Sequence, residues 1–316
     1  MNNLQKTLKR DMQRNWSLYL LAVPVIVYFI LFQYKPMYGA LIAFKDFSPG
    51  RGFSGSPWRG WDADGKFHLE LFFGHFIRFF NGPYFWRLLR NTFLISFYGL
   101  IFGFPAPIIL ALLLNEVRHS AYKRTIQTVT YIPHFISLVV ICGMITDFSL
   151  STGLFNQIIV FFGGERASLL QQPNVYRPLY VASDIWQHVG WGTIIYLSAL
   201  SAIDPQLYEA AMIDGAGRIR QLFAVTLPSI APTIVILLIL RIGSLLSVGY
   251  EKTLLLYNPA TYETADIIST YVYRVGLLDA NWSYSTAIGL INSVVNLTLL
   301  VMANMISRRI SETSLW

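Results

Sequence analysis

The chain has 316 residues, 54% hydrophobic and 13% charged, with a mean hydropathy of +0.48 and a formal net charge of +7. Soluble globular chains carry about one-quarter charged residues, so this depletion points to a membrane protein. The single cysteine, Cys142, excludes an internal disulfide framework, and the positive charge lies mostly between apolar runs, which reads as membrane topology and not as nucleic-acid binding.

Lys6, Lys9, Arg10 and Arg14 precede an apolar run from Trp16 to Tyr34. The bulky Gln33-Tyr-Lys-Pro-Met-Tyr after it offers no small-x-small cleavage site, so the run reads as a retained first span. Residues 1–16 are then a cytoplasmic N-terminal segment and 17–316 the membrane domain. A bilayer core about 30 Å thick needs about twenty apolar residues at a 1.5 Å rise. Runs at 17–34, 92–114, 131–148, 181–203, 229–249 and 286–306 approach that length. Pro105, Pro107 and Pro133 fall inside them and are tolerated where neighbouring helices satisfy the freed carbonyls.

The predicted fold class is an all-α polytopic membrane protein with six transmembrane helices. With both termini inside, the inside segments carry Lys6, Lys9, Arg10, Arg14, Arg118, Lys123, Arg124, Arg218, Arg220, Arg308 and Arg309. The two short outside loops carry Arg166, Arg177, Lys252 and Arg274. This asymmetry gives an N-in/C-in topology. The long outside loop at 35–91 runs against it, with eight Lys/Arg from Lys35 to Arg90. Within that loop, His68–Phe80 mixes aromatics with charge and predicts a short helix lying in the outer interface.

The connection at 204–228, between the fourth and fifth spans, has its own pattern. Asp204 can cap a helix and Pro205 suits its first position. Leu207, Ala210 and Ala211 share one face, Gly215 and Gly217 allow a sharp break, and Ile219, Leu222 and Phe223 form a second apolar face that Pro228 ends. The expectation is a cytoplasmic helix–turn–helix.

Glu209-Ala210-Ala211, Asp214-Gly215-Ala216 and Leu227-Pro228 resemble the EAA loop of permease subunits in binding-protein-dependent ABC importers. The likeness is strongest to the carbohydrate-uptake branch, which includes the maltose-transporter permeases, and it runs from about Trp86 to the C-terminus. The basic turn Arg118–Arg124 followed by Tyr131-Ile-Pro fits that branch, and the stretch at 35–46 resembles an oligo- and polysaccharide subgroup. The resemblance implies a coupling helix around Glu209–Asp214 that docks in a cleft of an ATPase subunit, with Glu209 facing a basic residue there. It also implies a second, homologous permease subunit, two ABC ATPase subunits, an extracellular or periplasmic solute-binding protein and an oligosaccharide cargo. The implied location is the bacterial cytoplasmic (inner) membrane, in contact with lipid.

Cofactor chemistry is not expected in this chain; ATP and magnesium would be bound by the partner ATPase. Gly60-Trp-Asp-Ala-Asp-Gly65-Lys66-Phe67 nearly spells a phosphate loop, but Phe67 stands where a Ser or Thr would hold magnesium. The histidines His68, His75, His119, His134 and His188 show no metal-ligand spacing, and no nucleophile–base motif is visible.

For the cargo pathway, an ionisable residue within a span is a functional candidate. Arg241 lies 13 residues after Pro228, about 20 Å along the fifth span. Similarity to the sugar-binding maltose permease adds Asp184, Gln187, His188 and Trp191 on the fourth span and Ser244 beside Arg241. An arginine in the pathway would favour an acidic oligosaccharide. The different-class alternative is a secondary transporter or channel working without ATP, whose inverted repeats are not evident here.

Overall fold

A computed structural model describes residues 11, 13–310, 314 and 315; Lys6, Lys9 and Arg10 lie outside them. All the regular elements named among these residues are helical, with two isolated bridges, Lys45–Trp58 and Trp61–Phe67. Among the described residues, five helical runs are long and apolar enough to cross a membrane: Trp16–Phe44, Phe85–Glu116, Leu138–Phe161, Arg218–Gly243 and Trp282–Arg309. The predicted fourth span falls on the 29-residue helix Pro173–Ser201, which is about 43 Å long but too polar around Asp184, Gln187 and His188 to join those five.

Several predicted boundaries move. The first run continues past Tyr34 to Phe44, into the stretch expected to open the outer loop. The third span does not start at 131: Ser120–Tyr131 is a helix of its own, a 3-10 turn Ile132–Phe135 holds Pro133, and the apolar helix begins at Leu138. Proline restricts the residue before it and breaks the ladder, so here it ends a helix instead of being carried through. The helix predicted as the fifth span ends at Gly243, leaving 244–249 outside it.

Pro228 does not stop the second short helix. Arg218–Gln221 leads through a π-turn, Leu222–Thr226, directly into Leu227–Gly243. The Leu227 N–H bonds the Leu222 carbonyl five residues back, which widens the turn just before the proline. The same device precedes Pro36, where the Lys35 N–H reaches the Ile30 carbonyl, and a π-turn at Gly99–Gly103 precedes Pro105. A wide turn shifts the bonding by one residue and accommodates a ring that cannot donate.

The chain divides into two units. The first comprises residues up to Arg78 together with Val275–Leu290. Its long-loop cations have structural partners. Lys45 is buried, donates to the Phe53 and Ser56 carbonyls at 2.7 and 3.0 Å, and lies over the Phe53 and Trp58 rings. Arg59 pairs with Asp46 at 2.9 Å, and Arg78 lies over Tyr284. The eight cations that oppose the topology count are therefore in part fold determinants. The stretch expected in the outer interface forms two helices, Leu69–Phe72 and Gly74–Phe80, in place of the single one expected. Burial pulls His75 below its ordinary pKa, and the Arg59 guanidinium adds to the effect. The phosphate-loop lookalike is a tight hairpin, with Asp62 accepting from the Asp64 and Lys66 amides.

The second unit comprises Phe79–Arg274 and the chain from Ile291 onward. Its larger core packs Ile95, Ile141, Ile145, Tyr176 and Tyr180 with Ile267. A second cluster joins Ala111, Tyr196, Leu200 and Ile230. Helix Pro173–Ser201 crosses Ser120–Tyr131 at Gly190, where a Cβ would run into the Thr130 carbonyl oxygen and the Tyr131 ring. Backbone cannot swing aside as a side chain can, so Gly190→Ala is expected to cost about 1–3 kcal/mol and lower the melting temperature of the purified protein. An unchanged melting temperature would contradict this close approach.

Candidate functional site

Two regions carry the predicted site residues, both within the second unit. The first is the 204–228 connection. Asp204 caps the helix Pro205–Ile213, its carboxylate accepting from the Gln206 amide at 2.9 Å. Gly215 then adopts φ +75, a left-handed conformation that reverses the chain at little cost only for glycine. Gly217 is extended, with no such requirement. The Tyr208 hydroxyl meets the Thr226 hydroxyl at 3.0 Å, and Gln221 donates to the Ala216 carbonyl at 2.7 Å, fixing the short helix against the π-turn Leu222–Thr226. Thr226 is buried, Leu227 half-buried and Pro228 exposed.

This arrangement leaves several apolar side chains uncovered. Leu207, Met212, Ile213, Ile219 and Phe223 are all exposed, Ile213 at 87%. Glu209, Ala210 and Asp214 are exposed on the same short helix and its end, with Ala211 and Ala216 half-buried. A surface that combines exposed apolar side chains with exposed carboxylates suits a protein partner carrying a basic, partly apolar cleft.

The second region is a cavity of about 480 Å³. It brings together Asp184, Gln187, His188, Arg241 and Ser244, five of the six predicted pathway residues. Trp191 is not among its lining residues. One turn further along, it stacks flat on His134 at 4.5 Å between ring centroids, with Phe135 edge-on. Gly99 faces this cavity too. A Cβ there would sit 3.4 Å from Arg241 Nη2, so the glycine lets the guanidinium lie against the helix backbone.

Arg241 is exposed, and among the described residues no carboxylate lies within salt-bridge distance of it. Ser244 caps the end of that helix, its hydroxyl donating to the Arg241 and Leu240 carbonyls at 3.2 and 3.3 Å. His188 Nδ1 lies 3.0 Å from the Asp184 carbonyl and 3.5 Å from its carboxylate. Gln187 Oε1 and the Ser96 hydroxyl, both on residues lining the cavity, are buried without a partner among the described residues. An unmet buried group costs about 1–3 kcal/mol, and these two leave hydrogen-bonding capacity at the cavity wall.

Sequence reasoning misses Lys252 and Glu251, which also line the cavity. The topology count places Lys252 in a solvated outside loop, yet it is 3% exposed on the short helix Tyr250–Leu256. Its ammonium reaches the Tyr180 carbonyl at 3.2 Å and the Asp184 carboxylate at 3.5 Å. Burial pulls its pKa below the ordinary lysine value, and the Asp184 charge acts in the opposite sense. The signal in the chain is a lysine flanked by Thr253-Leu-Leu-Leu256, an apolar setting for a loop cation.

A family model described as "Binding-protein-dependent transport system inner membrane component" matches residues 103–312. Protein LplB of Bacillus subtilis is 46% identical across 98% of this chain and 92% of its own length. The polygalacturonan/rhamnogalacturonan transport system permease protein YteP of Bacillus subtilis is 46% identical across 95% of this chain and 90% of its own. A chain of the solved bacterial alginate ABC transporter, in complex with alginate pentasaccharide-bound periplasmic protein, superposes with a TM-score of 0.85. It is 42% identical, covering 97% of this chain and 99% of that one. ATP hydrolysis in such systems belongs to separate subunits, which sets aside an ATP-independent carrier. The chain belongs to the family of binding-protein-dependent transport system inner membrane components, multi-pass permease subunits of ABC importers in the bacterial membrane.

Proposed function

We propose that this chain is the permease subunit of an ATP-driven importer for acidic oligosaccharides. It crosses the membrane six times with both termini inside, helix Pro173–Ser201 serving as the fourth crossing despite its polar residues. Polar side chains are tolerated within a span when they face a cavity instead of lipid, which is where Asp184, Gln187 and His188 lie. The helix Pro205–Ile213 docks on an ATPase subunit, with Glu209 meeting a basic residue there. A second permease completes the pathway, two ATPase subunits drive it, and a solute-binding protein delivers cargo.

The observation that carries the cargo reading is Arg241, a guanidinium in the wall of the cavity with no ion-pair partner among the described residues. Guanidinium forks match carboxylates in two-point geometry. Support comes from the likeness to a polygalacturonan/rhamnogalacturonan permease and to the alginate transporter chain. Arg241→Ala in the reconstituted importer is expected to lower uptake of an acidic oligosaccharide about tenfold or more, the usual effect of losing a charged hydrogen bond, and to spare a neutral one of equal length. Equal loss for both would remove the acidic assignment and leave the permease assignment standing.

A further inference from the structure

We propose that Lys252 is a specificity-determining residue of the cargo cavity: by pairing with Asp184 it cancels that carboxylate and leaves Arg241 free for an anionic group on the cargo. The inference rests on the acidic-cargo reading above.

Lys252 is directed onto one helix. Its ammonium reaches the Tyr180 carbonyl at 3.2 Å and Asp184 Oδ1 at 3.5 Å, and lies 4.7 Å from the centre of the Tyr180 ring. A lysine with 3% exposure has little water to solvate its charge, so the neighbouring anion is needed to keep it ionised. Asp184 is the partner within reach, and its side chain remains 36% exposed. The carboxylate therefore serves an internal cation while still bordering the cavity.

The lining charges then balance in a definite way. Arg241 and Lys252 are positive, Asp184 and Glu251 negative, and His188 stands beside Asp184. With Lys252 in place, the Asp184 charge is already matched. Without it, the cavity carries one excess negative charge, and Asp184 becomes free to attract Arg241 or to repel an incoming carboxylate. At separations of a few ångströms in a medium drier than water, one such charge is worth about tenfold or more in binding. Glu251 carries the same sign as that excess, so it adds to it and cannot offset it.

The test is a charge cycle in the complete importer, reconstituted in liposomes with its ATPase and binding protein. Uptake is measured for a hexuronate oligosaccharide and for a neutral oligosaccharide of equal length. Lys252→Met is expected to lower acidic uptake about tenfold relative to neutral uptake. Asp184→Asn combined with Lys252→Met is expected to restore the ratio to within about twofold, because it removes both charges together. Lys252→Arg should retain the preference. Melting temperatures of the same variants report folding separately. Should Lys252→Met depress both uptakes alike, with no recovery in the double variant, Lys252 is a structural tie and the proposal falls. Wild-type importer with no preference between the two sugars would instead defeat the acidic-cargo reading itself, and this proposal with it. A wild-type preference that survives Lys252→Met defeats this proposal alone.

Discussion

Gly215→Val is expected to abolish ATP-driven uptake, and Glu209→Lys to strip the ATPase from the purified permease. The two substitutions act by different routes. Gly215 holds φ +75, and no heavy atom beyond its adjoining residues lies within 4 Å of where a Cβ would stand. The cost of a side chain is thus conformational and not steric. A left-handed residue costs about 1–2 kcal/mol for an ordinary L-amino acid, and more for a β-branched one. That penalty falls on the turn that orients Pro205–Ile213, so the short helix re-aims or frays while the spans stay folded. Gly215→Asn should retain more uptake than Gly215→Val, because asparagine tolerates the left-handed region.

Glu209 is exposed, and among the described residues no lysine or arginine pairs with it. Reversing its charge should change the stability of the isolated permease by no more than about 0.5 kcal/mol, leaving its melting temperature nearly in place. Truncating or reversing one partner of a buried interfacial ion pair costs about 2–5 kcal/mol, enough to lose a complex on a column. Co-purification with the ATPase is the direct measurement. An ATPase that stays bound to Glu209→Lys would show that this carboxylate is not the docking contact.

Legibility in the chain divides along the range of the interactions. The Asp204 cap and the left-handed Gly215 are decided within a few residues, and both can be read from local residue types. The helix runs on through Pro105 and Pro228 but breaks at Pro133, against the expectation at both 133 and 228. A wide turn precedes the ring at 105 and 228 and not at 133, which no local residue pattern announces. Cations are the largest source of error. Counting Lys and Arg as loop markers treats each as solvated, yet Lys45 and Arg274 are held by partners nearby in the chain and Lys252 by a distant one. Asp184 precedes Lys252 by 68 positions, so their meeting depends on tertiary structure alone. The cavity is partly visible because Asp184, Gln187 and His188 recur at helical spacing on one face, whereas Trp191, on that same face, is drawn off by the ring of His134.

Asp266 gives the strongest expected effect on stability. It is fully buried and accepts from three groups: Arg87 at 3.0 Å, Arg274 at 2.8 Å and the Thr270 hydroxyl at 2.9 Å. Around it, Asn91 donates to the Glu263 and Asp266 carbonyls, and Arg177 donates to Asn91 at 2.7 Å. The Thr92 hydroxyl accepts from the Ile268 amide at 3.0 Å, and the Thr264 hydroxyl donates to the Pro173 carbonyl. This network ties the segment after the cavity helix Tyr250–Leu256 to both Phe85–Tyr98 and Pro173–Ser201. Asp266→Ala would leave two guanidiniums facing one another without an anion. Removing one member of a buried pair costs about 3–5 kcal/mol, and the lower end applies because Arg87 and Arg274 retain 31% and 25% side-chain exposure. The melting temperature should fall by several degrees, and amide exchange should rise over 258–274 before it rises in the spans. Because Tyr273 stacks on Tyr250 at 5.9 Å, loosening that segment should also release the helix that carries Lys252 and weaken cargo selectivity. Asp266→Asn, which keeps an acceptor for Thr270 but not the charge, is expected to fall between the wild type and alanine. Asp266→Ala with wild-type exchange over 258–274 would mean that the packing of Ile267 and Ile268, and not this charge cluster, holds the segment in place.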